Sequence, residues 1–130
     1  MIVVDASTLV EVLLRARNAQ AIEDRLFENG QTLHAPHLID VEVAHAIRRY
    51  AISGQIKGDR GRVALAILAA LPLNRYPHDF LLPRLWDLRN NLTAYDAVYI
   101  ALAETLQVPL ITRDRRLAGA AGHRARIELV

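Results

Sequence analysis

The sequence contains no cysteine, which excludes a disulfide scaffold, a thiolate nucleophile and a Cys-ligated zinc site together. Any metal must therefore be held by oxygen or imidazole. Lysine is almost absent as well: of sixteen basic residues only Lys57 is not arginine. No Ser-, Pro- or Gly-rich run marks a linker and no repeat is visible, so residues 1–130 are expected to form a single domain. There is no Gly-rich Walker loop, which argues against nucleotide hydrolysis of that kind. The longest apolar run, Val63 to Leu73, is too short to span a bilayer and contains Pro72. Asp5 interrupts what would be the apolar region of a signal peptide. The expectation is a soluble, cytoplasmic protein with no membrane association.

What is present points to a packed α/β domain. Hydrophobic residues make up 52%, incompatible with disorder, and net charge is only +2 at a pI near 9.4. Ile2-Val3-Val4 is a β-branched run ending at Asp5, and Ser7 precedes the apolar-periodic Leu9, Val10, Leu13 and Leu14. That pattern is a buried strand followed by a capped helix. Further helices are predicted over Ala19–Phe27, His37–Ile52, Gly58–Leu71, Asp79–Arg89, Ala94–Leu106 and Arg115–Ala120. Further strands are predicted over Thr32–Ala35, Leu73–Tyr76, Leu110–Thr112 and Arg126–Leu129. Strands alternating with helices, with no hairpin signal, predict a three-layer α/β/α fold with a mainly parallel sheet.

In an open parallel sheet, ligands bind at the carboxyl ends of the strands. Asp5 terminates the first strand and Asp114 follows the strand ending in Thr112, while Glu42 and Asp96 lie early in helices. Four carboxylates distant in sequence can thus meet at one edge. At an effective dielectric of about 20, two unit charges ~4 Å apart repel by roughly 4 kcal/mol, so such a cluster needs a counter-ion. Oxygen-only ligation favours Mg²⁺ or Mn²⁺, and carboxylates with a divalent ion beside arginines suggest phosphodiester hydrolysis. Each acid also has a purely structural reading. Asp5 can cap the first helix with Ser7 sharing the work, Thr93-Ala94-Tyr95-Asp96 has capping-box spacing, and Asp114 can cap the Arg115 helix. Periodicity does not choose between Asp40 and Glu42, which point in nearly opposite directions on a helical wheel. Asp40 falls near Val43, Ala44 and Ile47, Glu42 beside His45 and Arg49.

Residues 1–7 (MIVVDAS), 38–43 (LIDVEV), 92–101 (LTAYDAVYIA) and 110–117 (LITRDRRL) resemble, in order and spacing, the motifs of VapC-type PIN-domain toxins. The resemblance spans the whole chain and implies a PIN-like fold. It also implies that Asp5, Glu42, Asp96 and Asp114 form an acidic metal site, leaving Asp40 as a helix-start or packing residue. Thr112 matches a small hydroxyl residue near the metal, and Ser7 is placed to fix Asp5. By the same resemblance the protein is an Mg²⁺- or Mn²⁺-dependent endoribonuclease that cleaves RNA with a metal-activated water. It would be the toxin of a toxin–antitoxin pair, would form a homodimer, and would be silenced by a small VapB-type antitoxin that places an arginine among the acids.

Arg113, Arg115 and Arg116 follow the strand ending in Thr112 and are candidates for RNA phosphate contact, since guanidinium can grip phosphate through two bonds. The alternative is a solvated helix face. The five histidines show no ligand spacing, and Tyr50, Tyr95, Tyr99 and Trp86 fall at helical positions that more often pack than stack on bases. A response-regulator receiver needs a lysine near a late strand, where none exists. A haloacid-dehalogenase phosphatase needs an acid where Ser7 stands. The remaining rivals are a PIN-like adaptor that binds RNA or protein without cutting, and a housekeeping RNA-maturation nuclease.

Overall fold

The structure, a computed structural model, describes residues 1–130. Five strands form one sheet: β1 (Ile2–Val4), β2 (Leu33–Pro36), β3 (Leu73–Tyr76), β4 (Leu110–Thr112) and β5 (Ile127–Leu129). Their order is β3-β2-β1-β4-β5 and every neighbouring pair is parallel. The central strand β1 is buried along its length, as expected of a strand covered on both faces, and its sequence is accordingly all apolar rather than alternating. The edge strand β5 is only partly buried.

The helices are α1 (Ala6–Leu13), α2 (Ala19–Leu26), α3 (Leu38–Ile52), α4 (Gly58–Ala70), α5 (Leu82–Asp87), α6 (Ala94–Leu106) and α7 (Arg115–Ala118). The chain runs outward from β1 to β2 to β3, then crosses back to β4 and continues to β5. Right-handed crossovers therefore place α1–α4 on one face of the sheet and α5–α7 on the other. The packing agrees: α1 meets α2 and α3, and α3 meets α4, whereas α6 covers β1, β2 and β4 and packs against α5. Residues Ala97 to Ala103 of α6 are all buried, the signature of a helix enclosed on every side. No helix is long and apolar enough to cross a membrane.

The expected elements are all found, with differences of local origin. The predicted Asp79–Arg89 helix is a 3₁₀ turn over Asp79–Leu81 followed by α5, because Pro83 lies in the first turn of α5 and its missing N–H suits a helix start rather than an interior. β2 runs one residue further than expected, to Pro36 opposite Tyr76, and the His37 N–H takes up the bond to Tyr76 O at 2.8 Å. The Asn29-Gly30 turn ending the α2 region has both residues at positive φ, 51° and 71°, which Asn and Gly tolerate best.

The reversal of strand order leaves a switch point between β1 and β4. Val4 pairs with Ile111, so the next residues, Asp5 just past β1 and Thr112 at the end of β4, come side by side at the carboxyl edge of the sheet. This is where open parallel sheets bind ligands.

Candidate active site

Asp5 is only 6% exposed. Its Oδ1 accepts hydrogen bonds from Thr8 N (3.1 Å), Thr8 Oγ1 (3.0 Å) and Ser7 Oγ (2.7 Å), and its Oδ2 accepts one from Thr112 Oγ1 (2.5 Å). The helix-capping role and placement at the cleft therefore coexist, one oxygen closing α1 while the other faces β4. Burial pushes the Asp5 carboxyl above its usual range, and the four donors only partly offset this. The hydroxyls are themselves fixed. Thr112 Oγ1 accepts from Asp114 N (3.0 Å), Ser7 Oγ from Arg113 N (3.1 Å), and Thr8 Oγ1 also reaches Ile111 O (3.2 Å).

Asp40 and Glu42 part company as the helical wheel requires. Arg75 on β3 donates to both carboxylate oxygens of Asp40, at 2.7 and 2.9 Å, so this acid ties α3 to the sheet. Glu42 turns the other way into the cleft, where Tyr99 Oη donates to its Oε1 at 2.7 Å. Its carboxyl is raised by burial, lowered by the Tyr99 bond, and raised again by the charges of Asp96 and Asp5. Burial and the Glu42 charge hold the Tyr99 phenol firmly protonated, so it is a lasting donor.

Asp96 lies in the first turn of α6 and Asp114 just past β4. Thr93 Oγ accepts from Asp96 N (3.2 Å), but the Asp96 carboxylate does not complete the capping box. It meets Arg116 Nη2 instead, at 3.2 Å. Asp114 caps α7, its Oδ1 accepting from Arg116 N (2.9 Å) and Leu117 N (3.3 Å), while its Oδ2 lies 3.7 Å from Arg116 Nη2. Arg116, whose side chain is 75% exposed, thus lies between two of the acids.

All four acids line one cleft of 780 Å³ with Ser7, Arg113 and Tyr99. They do not yet close on a common point: no group of three or more acidic or histidine side chains is arranged to hold a metal ion. Thr112 lies fully buried beneath it. Arg113 is committed elsewhere, 3.4 Å from Glu11 Oε1 and donating to Val130 O at 3.2 Å. Arg115 is exposed on α7 and does not line the cleft. His34 is buried between Thr32 and Tyr76, and His45 lines the cleft without a second histidine.

Sequence reasoning missed two residues here. Tyr99 reads as packing, yet its spacing of three from Asp96 puts both on one helical face, which is the signal that finds it. Thr8 follows Ser7 at the N3 position of α1, where a donor to the capping acid is expected.

The chain matches the PIN domain over residues 2–122. It is 47% identical to Ribonuclease VapC1 of Mycobacterium tuberculosis, over 98% of this chain and 96% of that protein. It is 45% identical to Ribonuclease VapC12 of the same organism, over 100% and 99%. Among solved structures, VapBC2 from Rickettsia felis bound to a DNA fragment from their promoter superposes with a TM-score of 0.72 at 12% identity, covering 99% of this chain and 98% of that one. A PIN-domain match across nearly the whole chain, with relatives at this identity bearing one name, makes the chain a member of the PIN-domain family of the VapC type.

Proposed function

We propose that this protein is an endoribonuclease, the toxin of a VapBC-type toxin–antitoxin pair, and that Asp5, Glu42, Asp96 and Asp114 are its catalytic acids. The observation that carries this reading is the state of Asp5 and Glu42: one buried and one half-buried carboxylate at a strand-end cleft, with hydroxyls rather than cations as partners and both carboxyls raised by desolvation. The names of the relatives, all VapC ribonucleases, supply the reaction class.

The donor set fits Mg²⁺ or Mn²⁺. It offers carboxylate and hydroxyl oxygens, with no thiolate in the sequence and no paired imidazole. Asp5, Glu42, Asp96 and Asp114 would hold such an ion. Bound there, it supplies a water of lowered pKa and positive charge for the scissile phosphate. The chain's own residues do the positioning. Ser7, Thr8 and Thr112 hold both oxygens of Asp5 in one rotamer, and Tyr99 aims Glu42 into the cleft. Asp96 and Asp114 would have to give up Arg116 to hold the ion, at small cost, because an ion pair with so exposed an arginine contributes about 0–1 kcal/mol. Arg116 and Arg115 are then available to the substrate phosphates, and Arg113 holds the cleft wall. Residues 1–130 act as one domain in the cytoplasm, as a homodimer, with a small antitoxin as partner.

The test is incubation of the purified protein with RNA in Mn²⁺, in EDTA, and as the Asp5→Asn variant in Mn²⁺. Cleavage is expected in the first alone. A non-catalytic adaptor would bind RNA in all three and cut it in none, which overturns the proposal.

A further inference from the structure

An endonuclease cuts within a chain, so its substrate continues past the scissile phosphate on both sides and the protein must hold those flanks. Beside the acid cleft lies a second cleft of 560 Å³ that shares Asp96 and Leu117 with it. Its polar walls are Arg89, Asn90, Asn91, Thr93 and Arg116. Two guanidiniums face one carboxylate there, reversing the balance of the acid cleft. Resting on the RNA-cleaving reading above, we propose that this second cleft is the subsite for the nucleotides on one flank of the cut, with Arg89 gripping a phosphate and Trp86 stacking on a base.

Arg89 is prepared for such a contact. Its guanidinium lies 4.6 Å from the centre of the Trp86 ring and its Nη1 donates to Trp86 O at 2.9 Å. The fork is thereby oriented in advance while its other N–H groups have no partner in the protein, leaving donors for bidentate phosphate recognition. Trp86 is 68% exposed, an unusual position for so large an apolar ring unless something covers it, and an indole beside a guanidinium is a stacking platform for any base. Asn90 and Asn91 are exposed and add paired donors and acceptors of the kind that read ribose hydroxyls and base edges. Asn91 is held in place because Gly122, at φ 88°, passes so close that a Cβ there would overlap its amide. A protein partner fits less well. The apolar lining is limited to Leu92, Leu117 and Ala120, with no pocket for a buried anchor side chain.

Arg89 and Trp86 lie on the surface, so Arg89→Gln and Trp86→Ala test the site without threatening the fold. In an Asp5→Asn background that blocks cutting, the probe is labelled single-stranded RNA of random sequence, titrated at several salt concentrations. Arg89→Gln is expected to weaken binding about five- to tenfold and to make the salt slope shallower by about 0.7, the amount for one phosphate contact on a single strand. Trp86→Ala is expected to weaken binding with the slope unchanged. With active protein, Arg89→Gln should raise KM and leave kcat. Unaltered affinity and slope for both variants overturn the subsite while leaving the nuclease intact. Weakened capture of the antitoxin with unaltered RNA binding also overturns it, making the cleft a protein surface. Arg89-dependent RNA binding in a wild-type protein that cuts nothing overturns the flank assignment together with the nuclease reading and leaves only an RNA-binding cleft.

Discussion

Two sets of carboxylates in this protein are treated in opposite ways. Away from the cleft, acids are matched with arginines through paired bonds: Asp40 with Arg75, Glu104 with Arg84, and Glu128 with Arg25. The last two are held below the usual carboxylate range, first of all by those bonds. At the cleft, Asp5 and Glu42 are held by hydroxyls and pushed upward by burial. A chain this rich in arginine has the means to neutralise both acids and does not. The difference is what the proposed cation site would require: acids left without a counter-charge from the chain itself.

The sharpest way to break the contrast is to remove a cleft acid. Asp5→Asn, Asp96→Asn or Asp114→Asn should each lower RNA cleavage by about a thousandfold or more, if the ion they hold supplies several kcal/mol of transition-state stabilisation. Each should also relieve the growth arrest expected on expression. Soluble variants that cut and arrest growth as wild type does would remove the catalytic assignment. Glu42→Gln should likewise abolish cleavage, while Asp40→Asn keeps it and loses about 1 kcal/mol of stability with its half-exposed arginine pair.

The matched set should respond to pH in the opposite sense to the cleft set. The folded-state pKa of Glu104 is depressed, so its contribution is present above the ordinary value of 4.5 and is lost as pH falls through the lower folded value. Glu104→Gln should therefore cost roughly 2 kcal/mol near neutral pH and progressively less in acid, measured as the gap between melting curves. Glu42 has a raised folded-state pKa. Its protonated form favours folding, and that contribution is lost as pH rises through the folded value. In metal-free protein at neutral pH, Glu42→Gln should consequently be no less stable than wild type.

The smallest effect sharpens the positioning argument. Tyr99→Phe removes the one hydrogen bond to Glu42 and should lower kcat by about tenfold, with a stability cost of about 1 kcal/mol. An unchanged kcat would reduce Tyr99 to packing.

Much of this was legible beforehand because it is local. The apolar run ending at Asp5 and the Leu110–Thr112 strand before Asp114 place two of the acids near a strand edge, and Gly54 and Pro72 punctuate the helices, through period and capping alone. The choice of Glu42 over Asp40 was not legible without the resemblance, because it depends on Arg75 and Tyr99, residues 35 and 57 positions away along the chain. Nor does local spacing separate a capping acid from one that lines the cleft, since Asp5 and Asp114 do both: one carboxylate oxygen caps a helix while the other is left to a different partner. Arg116 shows the same limit. Its exposure was expected, its placement between Asp96 and Asp114 was not.

The central claim, that the cleft acids await a cation, is tested most directly by the melting temperature of the metal-free protein during titration with Mg²⁺ or Mn²⁺. An ion that binds only the folded state stabilises it by about 2.7 kcal/mol at a hundred times its Kd. The account predicts a saturable rise for wild type and for Asp40→Asn, and a blunted one for Glu42→Gln. A wild-type melting temperature indifferent to both ions, or a rise lost in Asp40→Asn and kept in Glu42→Gln, would contradict it.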